Sequence, residues 1–165
     1  MGEYTTDSEK ERLTRLYSYN ILSDCYEKSG TFQHVVAMAA HIFRMPFAFV
    51  SFVNEDSVLI KASVGLGDMR KVDRASSLCS LAILQSEVTV LQAAKDDACL
   101  SAGRLSQVVP ELCFYAGAPL KTPDGYHIGV MGVADKIPRT FLNEDEQLLE
   151  TLALIVMEEL EVNRR

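Results

Sequence analysis

Residues Cys113 to Lys136, with the sequence CFYAGAPLKTPDGYHIGVMGVADK, decide the fold because they read as two β-strands joined by a tight turn. Within Thr122–Gly125, proline fixes one backbone angle, while aspartate and glycine favour turn conformations. Both flanks are apolar and contain β-branched and aromatic residues, which is typical of central strands in an antiparallel sheet. The segment therefore predicts a buried hairpin with strands over Cys113–Leu120 and Tyr126–Ala134.

Three glycines, Gly117, Gly129 and Gly132, leave parts of this hairpin without side chains. Bare positions in a central strand indicate either close packing by a neighbouring group or room for a ligand. Tight packing alone is the simpler interpretation, because a fold does not by itself define a function.

The remaining patterns predict helices that bracket this hairpin and a second one. Apolar residues recur at helical spacing in four segments, whereas the strands are short apolar runs between polar turns. In chain order we predict helices over Glu9–Ser18 and Thr31–Phe43, strands over Pro46–Val53 and Ser57–Val64, a loop over Gly65–Arg74, a short helix over Ser76–Gln85, a strand over Val88–Leu91, an irregular or helical segment over Ala93–Ser106, the central hairpin, and a last helix capped by Asn143 with Glu146 three residues on. The fold class is therefore α+β, a central antiparallel sheet of five or six strands with helices on both faces, in one domain spanning residues 1–165.

The composition limits the partners of the chain. Its 165 residues include 48% hydrophobic residues and carry a net charge of −7. Nucleic acid and anionic membrane surfaces require clustered Lys and Arg, so we expect neither as a partner. No apolar run approaches the roughly 18 residues of a membrane span, and the polar, acidic start MGEYTTDSEKER does not fit a secretory signal. We therefore expect a cytoplasmic protein.

The cysteines and histidines form no metal-binding motif. None of the four cysteines belongs to a CxxC pair, and the three histidines form no HExxH motif. In a cytosolic chain such cysteines are expected to be reduced thiols, mostly buried. We therefore predict no metal site. The cysteines are Cys25, Cys79, Cys99 and Cys113.

Several short motifs occur together across nearly the whole chain. They are FYAGAPL at 114–120, PDG at 123–125, IGV at 128–130, LYSYNIL at 16–22, VSFVN at 50–54, and DK at 135–136 followed by Phe141 and by DE at 145–146. Together they resemble the GAF domain family, the small-molecule sensor modules of bacterial signalling proteins and of phosphodiesterases. The likeness is strongest to the members that precede histidine kinases and diguanylate cyclases. The last motif implies a structural ion pair between Lys136 and an acid in the first turn of the last helix.

The resemblance implies a ligand site between one face of the sheet and the segments near 66–80 and 94–105. In this subfamily the short helix often reads Phe-Cys-Ala-His, whereas here Leu78–Leu81 keeps the cysteine and lacks the histidine. An acid that cyclic-nucleotide-binding members place near Gly132 is also missing, which argues against a cyclic nucleotide. The implied ligand-contacting residues are Leu78, Cys79, Ala82, Asp96, Asp97, Arg104, Tyr115, Val130 and Gly132.

Three functions stay open at this point. We expect first a sensory module without chemistry that binds an unidentified small molecule or partner and moves its terminal helices. A thiol enzyme resembling free methionine-(R)-sulfoxide reductase is the second, with Cys79 and Cys99 as nucleophilic and resolving thiols. A structural dimerisation module with a filled pocket is the third. No cofactor is identified.

The helices suggest how the module would assemble. Leu148, Leu152, Ile155 and Val162 follow a spacing of four, three and seven residues, as in a coiled-coil seam, and a core helix of a single domain would show much the same stripe. We therefore expect a homodimer through the N- and C-terminal helices, connected to a kinase or cyclase output domain.

Overall fold

The computed structural model describes residues 6–22, 30–74, 77–92 and 112–164. Its elements in chain order are α1 (Thr6–Tyr17), α2 (Thr31–Phe43), β1 (Phe47–Val53), β2 (Ser57–Val64), β3 (Lys71–Asp73), α3 (Cys79–Ala82), β4 (Thr89–Gln92), β5 (Phe114–Lys121), β6 (His127–Asp135) and α4 (Asn143–Arg164). The strands form one sheet in the order β3-β2-β1-β6-β5-β4, and every neighbouring pair is antiparallel.

The predicted hairpin lies at the centre of this sheet. Both of its strands begin and end one residue later than the sequence pattern indicates. All seven residues of β1 are buried, as its nearly unbroken apolar run predicts, and β1 pairs with β6 along its length. The two innermost strands are β1 and β6, and β5 lies beside β6.

Helices cover both faces of the sheet, which confirms the α+β class. The larger core lies between the sheet and α1, α2 and α4, and the smaller one lies on the opposite face beneath α3. Successive side chains along a strand point to opposite faces of the sheet, so each central strand contributes residues to both cores. Ala116 and Met131 belong to the larger core, whereas Tyr115 and Val130 belong to the smaller one.

The start of α4 differs by one residue from the expected cap. The N–H of Leu142 donates to the Asp145 carboxylate at 2.8 Å, and the N–H of Glu146 donates to the Leu142 carbonyl at 3.0 Å. Leu142 therefore occupies the capping position that the sequence assigns to Asn143.

An ion pair beside the sheet end also differs from the expectation. Among the described residues Lys136 forms no ion pair, and Arg139 pairs with Asp135 instead. The same guanidinium donates to the carbonyls of Phe43 at 2.6 Å and Arg44 at 2.8 Å, which satisfies the C-terminal end of α2. The observed ion pair thus differs from the expected one in both partners: the cation is Arg139, and the acid is Asp135 of β6 rather than one in the first turn of α4.

Two local predictions need correction. The loop predicted over Gly65–Arg74 contains β3, a strand of three residues that pairs with β2. The short helix covers only Cys79–Ala82 within the described residues.

The segment predicted over Ala93–Ser106 lies outside the described residues. Over the described ranges, no helix has both the length and the apolar character needed to cross a membrane.

Candidate ligand site

Most of the predicted ligand-contacting residues meet beneath α3. Leu78, Cys79 and Ala82 come from the α3 segment, whereas Tyr115 and Val130 come from β5 and β6, and all five lie in one buried cluster. Gly132 lies in β6 opposite Phe49 of β1. The structure therefore brings six of the predicted residues to one face of the sheet. The other three, Asp96, Asp97 and Arg104, lie outside the described residues, as does Cys99.

Hydroxyl groups surround the Cys79 thiol. The Ser51 hydroxyl donates to Cys79 Sγ at 3.3 Å, and the Tyr115 hydroxyl donates to it at 3.5 Å. Ser51 belongs to β1 and Tyr115 to β5, so the two donors approach from strands on either side of β6. The backbone N–H of Cys79 donates to the hydroxyl of Ser77 at 3.1 Å, which holds the start of α3.

Burial determines the protonation of this cluster. Loss of hydration raises the pKa of Cys79 above its ordinary value, and the hydrogen bonds from Ser51 and Tyr115 only partly oppose this. Burial, together with the neighbouring Cys79, raises the pKa of Tyr115 well above its ordinary value. Both groups are therefore neutral at neutral pH. A nucleophilic cysteine needs the thiolate form, which this environment disfavours.

Aromatic side chains occupy the space beside two glycines on this face of the sheet. Gly132 pairs with Gly117 on one side and with Phe49 on the other. A Cβ at Gly132 would lie within 2.5 Å of the Phe49 ring, and one at Gly117 would lie 2.8 Å from the Tyr115 hydroxyl oxygen. The Phe49 and Tyr115 rings are 5.9 Å apart. Gly117 and Gly132 are thus required by side-chain packing, in agreement with the simpler interpretation.

Phe49 and Ser51 are among the residues of this site that sequence reasoning missed. A usable signal was present, because residues two apart in a strand share a face. Ser51 is the only polar residue of β1, and it lies two positions after Phe49. A buried serine in an otherwise apolar strand indicates a specific hydrogen-bond partner, which here is Cys79.

Two cavities lie away from this cluster. A groove of about 610 Å³ runs beside α4. A polar cavity of about 230 Å³ lies between α1, the end of α3 and the β5–β6 turn. Residues lining the groove include Pro123, Leu154, Met157 and Val162, and those lining the polar cavity include Ser8, Arg12, Arg74, Tyr126 and His127.

The chain forms one antiparallel sheet with the first and last described helices on one face and a short helix over a buried thiol on the other. This arrangement defines a class of small α+β domains. Comparison with known families identifies the particular one. A GAF domain model matches residues 28–160, and the chain belongs to that family.

Individual relatives agree with this assignment. The chain is 36% identical over 127 residues to a cyclic di-GMP phosphodiesterase of Pseudomonas aeruginosa, a match that covers 76% of this chain and 22% of that protein. A solved GAF domain of an Acinetobacter phosphoenolpyruvate-protein phosphotransferase superposes with a TM-score of 0.65 at 18% identity, covering 96% of both chains. A free methionine-R-sulfoxide reductase of Neisseria meningitidis superposes with a TM-score of 0.68 at 16% identity, covering 97% of this chain and 93% of that one. At these identities the two structures are evidence for the fold alone.

Proposed function

We propose that the chain is a regulatory GAF module that binds a small molecule or partner on the α3 face of its sheet and relays binding through its terminal helices. One observation carries the proposal. In β5 and β6, Tyr115 and Val130 face α3, while their neighbours Ala116 and Met131 lie in the core shared with α4. A ligand that shifts these strands would therefore also shift the surface on which α4 rests.

The terminal helices are connected to each other as well. The hydroxyl of Tyr19, just after α1, donates to the carboxylate of Glu161 in α4. A displacement of α4 would thus be transmitted to the residues at the end of α1. This contact supports a relay in which the two terminal helices respond together.

The output that we propose is a cyclic di-GMP pathway rather than a two-component kinase. The support is the 36% identity over 127 residues to a cyclic di-GMP phosphodiesterase. Since the chain spans 22% of that protein's length, the similarity concerns only a part of it. We infer a regulatory role beside such an output domain.

The thiol-enzyme alternative ranks lower. Its support is the fold, which free methionine-R-sulfoxide reductases share. Against it, Cys79 is buried, accepts hydrogen bonds from two neutral hydroxyls and has a raised pKa. An activated thiol normally has the opposite environment, with a nearby cation and access to solvent.

We also propose that the module forms a homodimer through its terminal helices. Leu148, Ile155 and Val162 are 36%, 36% and 62% exposed and recur every seven residues along α4. Leu152, the fourth residue of the expected seam, is instead buried in the core. The exposed three form one strip, which we call the α4 strip, and a strip of this spacing suits helix pairing.

Native mass spectrometry of the chain purified from bacterial cells tests ligand binding. We expect a bound small molecule whose occupancy falls in Ala82→Leu, which adds volume beneath α3, and persists in Leu154→Ser on the far side of α4. Circular dichroism would verify that both variants fold. A chain that carries no small molecule under any purification condition would favour the structural-module alternative.

A turnover assay with free methionine-(R)-sulfoxide and dithiothreitol tests the chemistry. We expect no reduction above the rate without protein. Turnover that disappears in Cys79→Ser and survives in Cys113→Ser would replace the regulatory proposal with the thiol enzyme.

A further inference from the structure

We propose that Arg74 and His127 couple α3 directly to α1, so that a movement of α3 reaches the first helix without first displacing α4. Together with Glu9 and Arg12, these residues form what we call the polar joint. The inference deepens the proposed function, on which it rests, by naming positioning residues for the relay.

Arg74 provides the first link. Its side chain is 5% exposed, and its Nη1 donates to the Glu9 carboxylate in α1 at 2.6 Å. The same nitrogen donates to the Asn54 carbonyl at 3.0 Å, which fixes the guanidinium against the β1–β2 turn. The Arg74 carbonyl accepts the N–H of Ser77 at 3.2 Å, just before α3. One residue thus contacts α1 through its side chain and the entry to α3 through its backbone.

His127 provides the second link. Its Nδ1 lies 2.8 Å from the carbonyl oxygen of Ile83, at the end of α3. A carbonyl can only accept a hydrogen bond, so Nδ1 carries the proton. The carbonyl of His127 in turn accepts from Arg12 Nη1 of α1 at 3.4 Å. His127 thus contacts the end of α3 through its ring and α1 through its backbone.

Glu9 and Arg12 complete the joint on α1. Arg12 binds the Glu9 carboxylate with two hydrogen bonds, Nε to Oε1 at 3.0 Å and Nη2 to Oε2 at 2.9 Å. Glu9 is therefore shared by two guanidinium groups. Because the two arginines are 8% and 5% exposed, moving either one away would leave buried charge without its partner. We therefore expect α1 to move together with Arg74 and His127 rather than to separate from them.

The polar cavity of about 230 Å³ lies at the same place. Its lining includes all four residues of the joint, together with Ser8 and Tyr126. A polar space of this size is large enough for water molecules, which can follow small shifts of charged groups. The joint can therefore move without opening a tightly packed apolar contact.

Amide hydrogen exchange of the full chain tests the joint without any ligand. Ser80→Ala removes a hydrogen bond of 2.7 Å from the Ser80 hydroxyl to the Ser77 carbonyl and so loosens α3 from within. We expect exchange to rise roughly fivefold in α3, the effect of one lost hydrogen bond, and also in α1. In the His127→Phe background the α1 response to Ser80→Ala should fall below about twofold, whereas His127→Asn, which keeps a donor near Nδ1, should retain it.

Arg12→Lys gives an independent test from the α1 side, because lysine keeps the charge but lacks the planar fork. It should reduce the α1 response as His127→Phe does, while the part of the response that reaches α4 through the sheet is retained in every variant. Failure of α1 to respond to Ser80→Ala, or a full response in both His127→Phe and Arg12→Lys, would overturn the inference. Since no ligand is added and all variants are compared after the same purification, such a result would leave the ligand-binding proposal to its own test.

Discussion

Protonation of Glu9 should release part of the stability of the fold. The neighbouring Arg12 and Arg74 outweigh the effect of burial and lower the pKa of Glu9 from 4.5 to about 2. A pKa difference of about 2.5 corresponds to about 3.4 kcal/mol, and screening by water in the adjoining cavity reduces this to about 1–2 kcal/mol. Because the folded-state pKa is the lower one, this stability is fully present above pH 4.5 and is lost as the pH falls towards 2.

Urea unfolding followed by circular dichroism between pH 7 and pH 2.5 measures this effect. We expect Glu9→Gln to be less stable than the wild type at pH 7 by about 1–2 kcal/mol, with the difference shrinking as the pH falls below about 4.5. Glu87→Gln is the matched control, since Glu87 is exposed and forms no ion pair among the described residues. Equal stability of Glu9→Gln and wild type at pH 7, or a difference that does not change with pH, would refute the reasoning.

Three further predictions concern the sheet, the thiol and the α4 strip. Gly132→Ala should lower the free energy of unfolding by about 1–3 kcal/mol, because its Cβ would overlap the Phe49 ring; unchanged chemical denaturation would contradict this. Cys79 should react with iodoacetamide at pH 8 at least about 100-fold more slowly in the native chain than in urea, as peptide mapping would measure, whereas rapid native labelling would favour the thiol enzyme. Ile155→Glu should convert the proposed dimer to a monomer in light scattering while changing monomer stability by no more than about 0.5 kcal/mol, and a dimer that persists would exclude this strip as the interface.

The central hairpin was predictable because its turn residues and its buried apolar strands indicate the same structure. The turn residues of Thr122–Gly125 and the apolar flanks point to the same structure, so the strand bounds are correct to within one residue. β3 was not predictable from its own residues. Lys71–Asp73 has two charged residues in three, and it is a strand because β2 offers pairing groups at that point.

The candidate site was predictable only in part. The residues beneath α3 were found through the family motifs, and Ser51 had a recognisable signal in its strand. The polar joint had no recognisable signal in the sequence, because Glu9 and Arg74 are 65 residues apart and meet only once α1 has packed on the sheet. Charged residues at such separations look like ordinary surface residues in a sequence.

Within the described residues, the two strands at the margins of the sheet are its shortest, with three residues in β3 and four in β4. Short edges expose few backbone groups to a strand from another molecule, which is how natural sheets avoid edge-to-edge aggregation. Concentrated solutions of the chain should therefore favour reversible association through helices over irreversible fibrils built from paired strands.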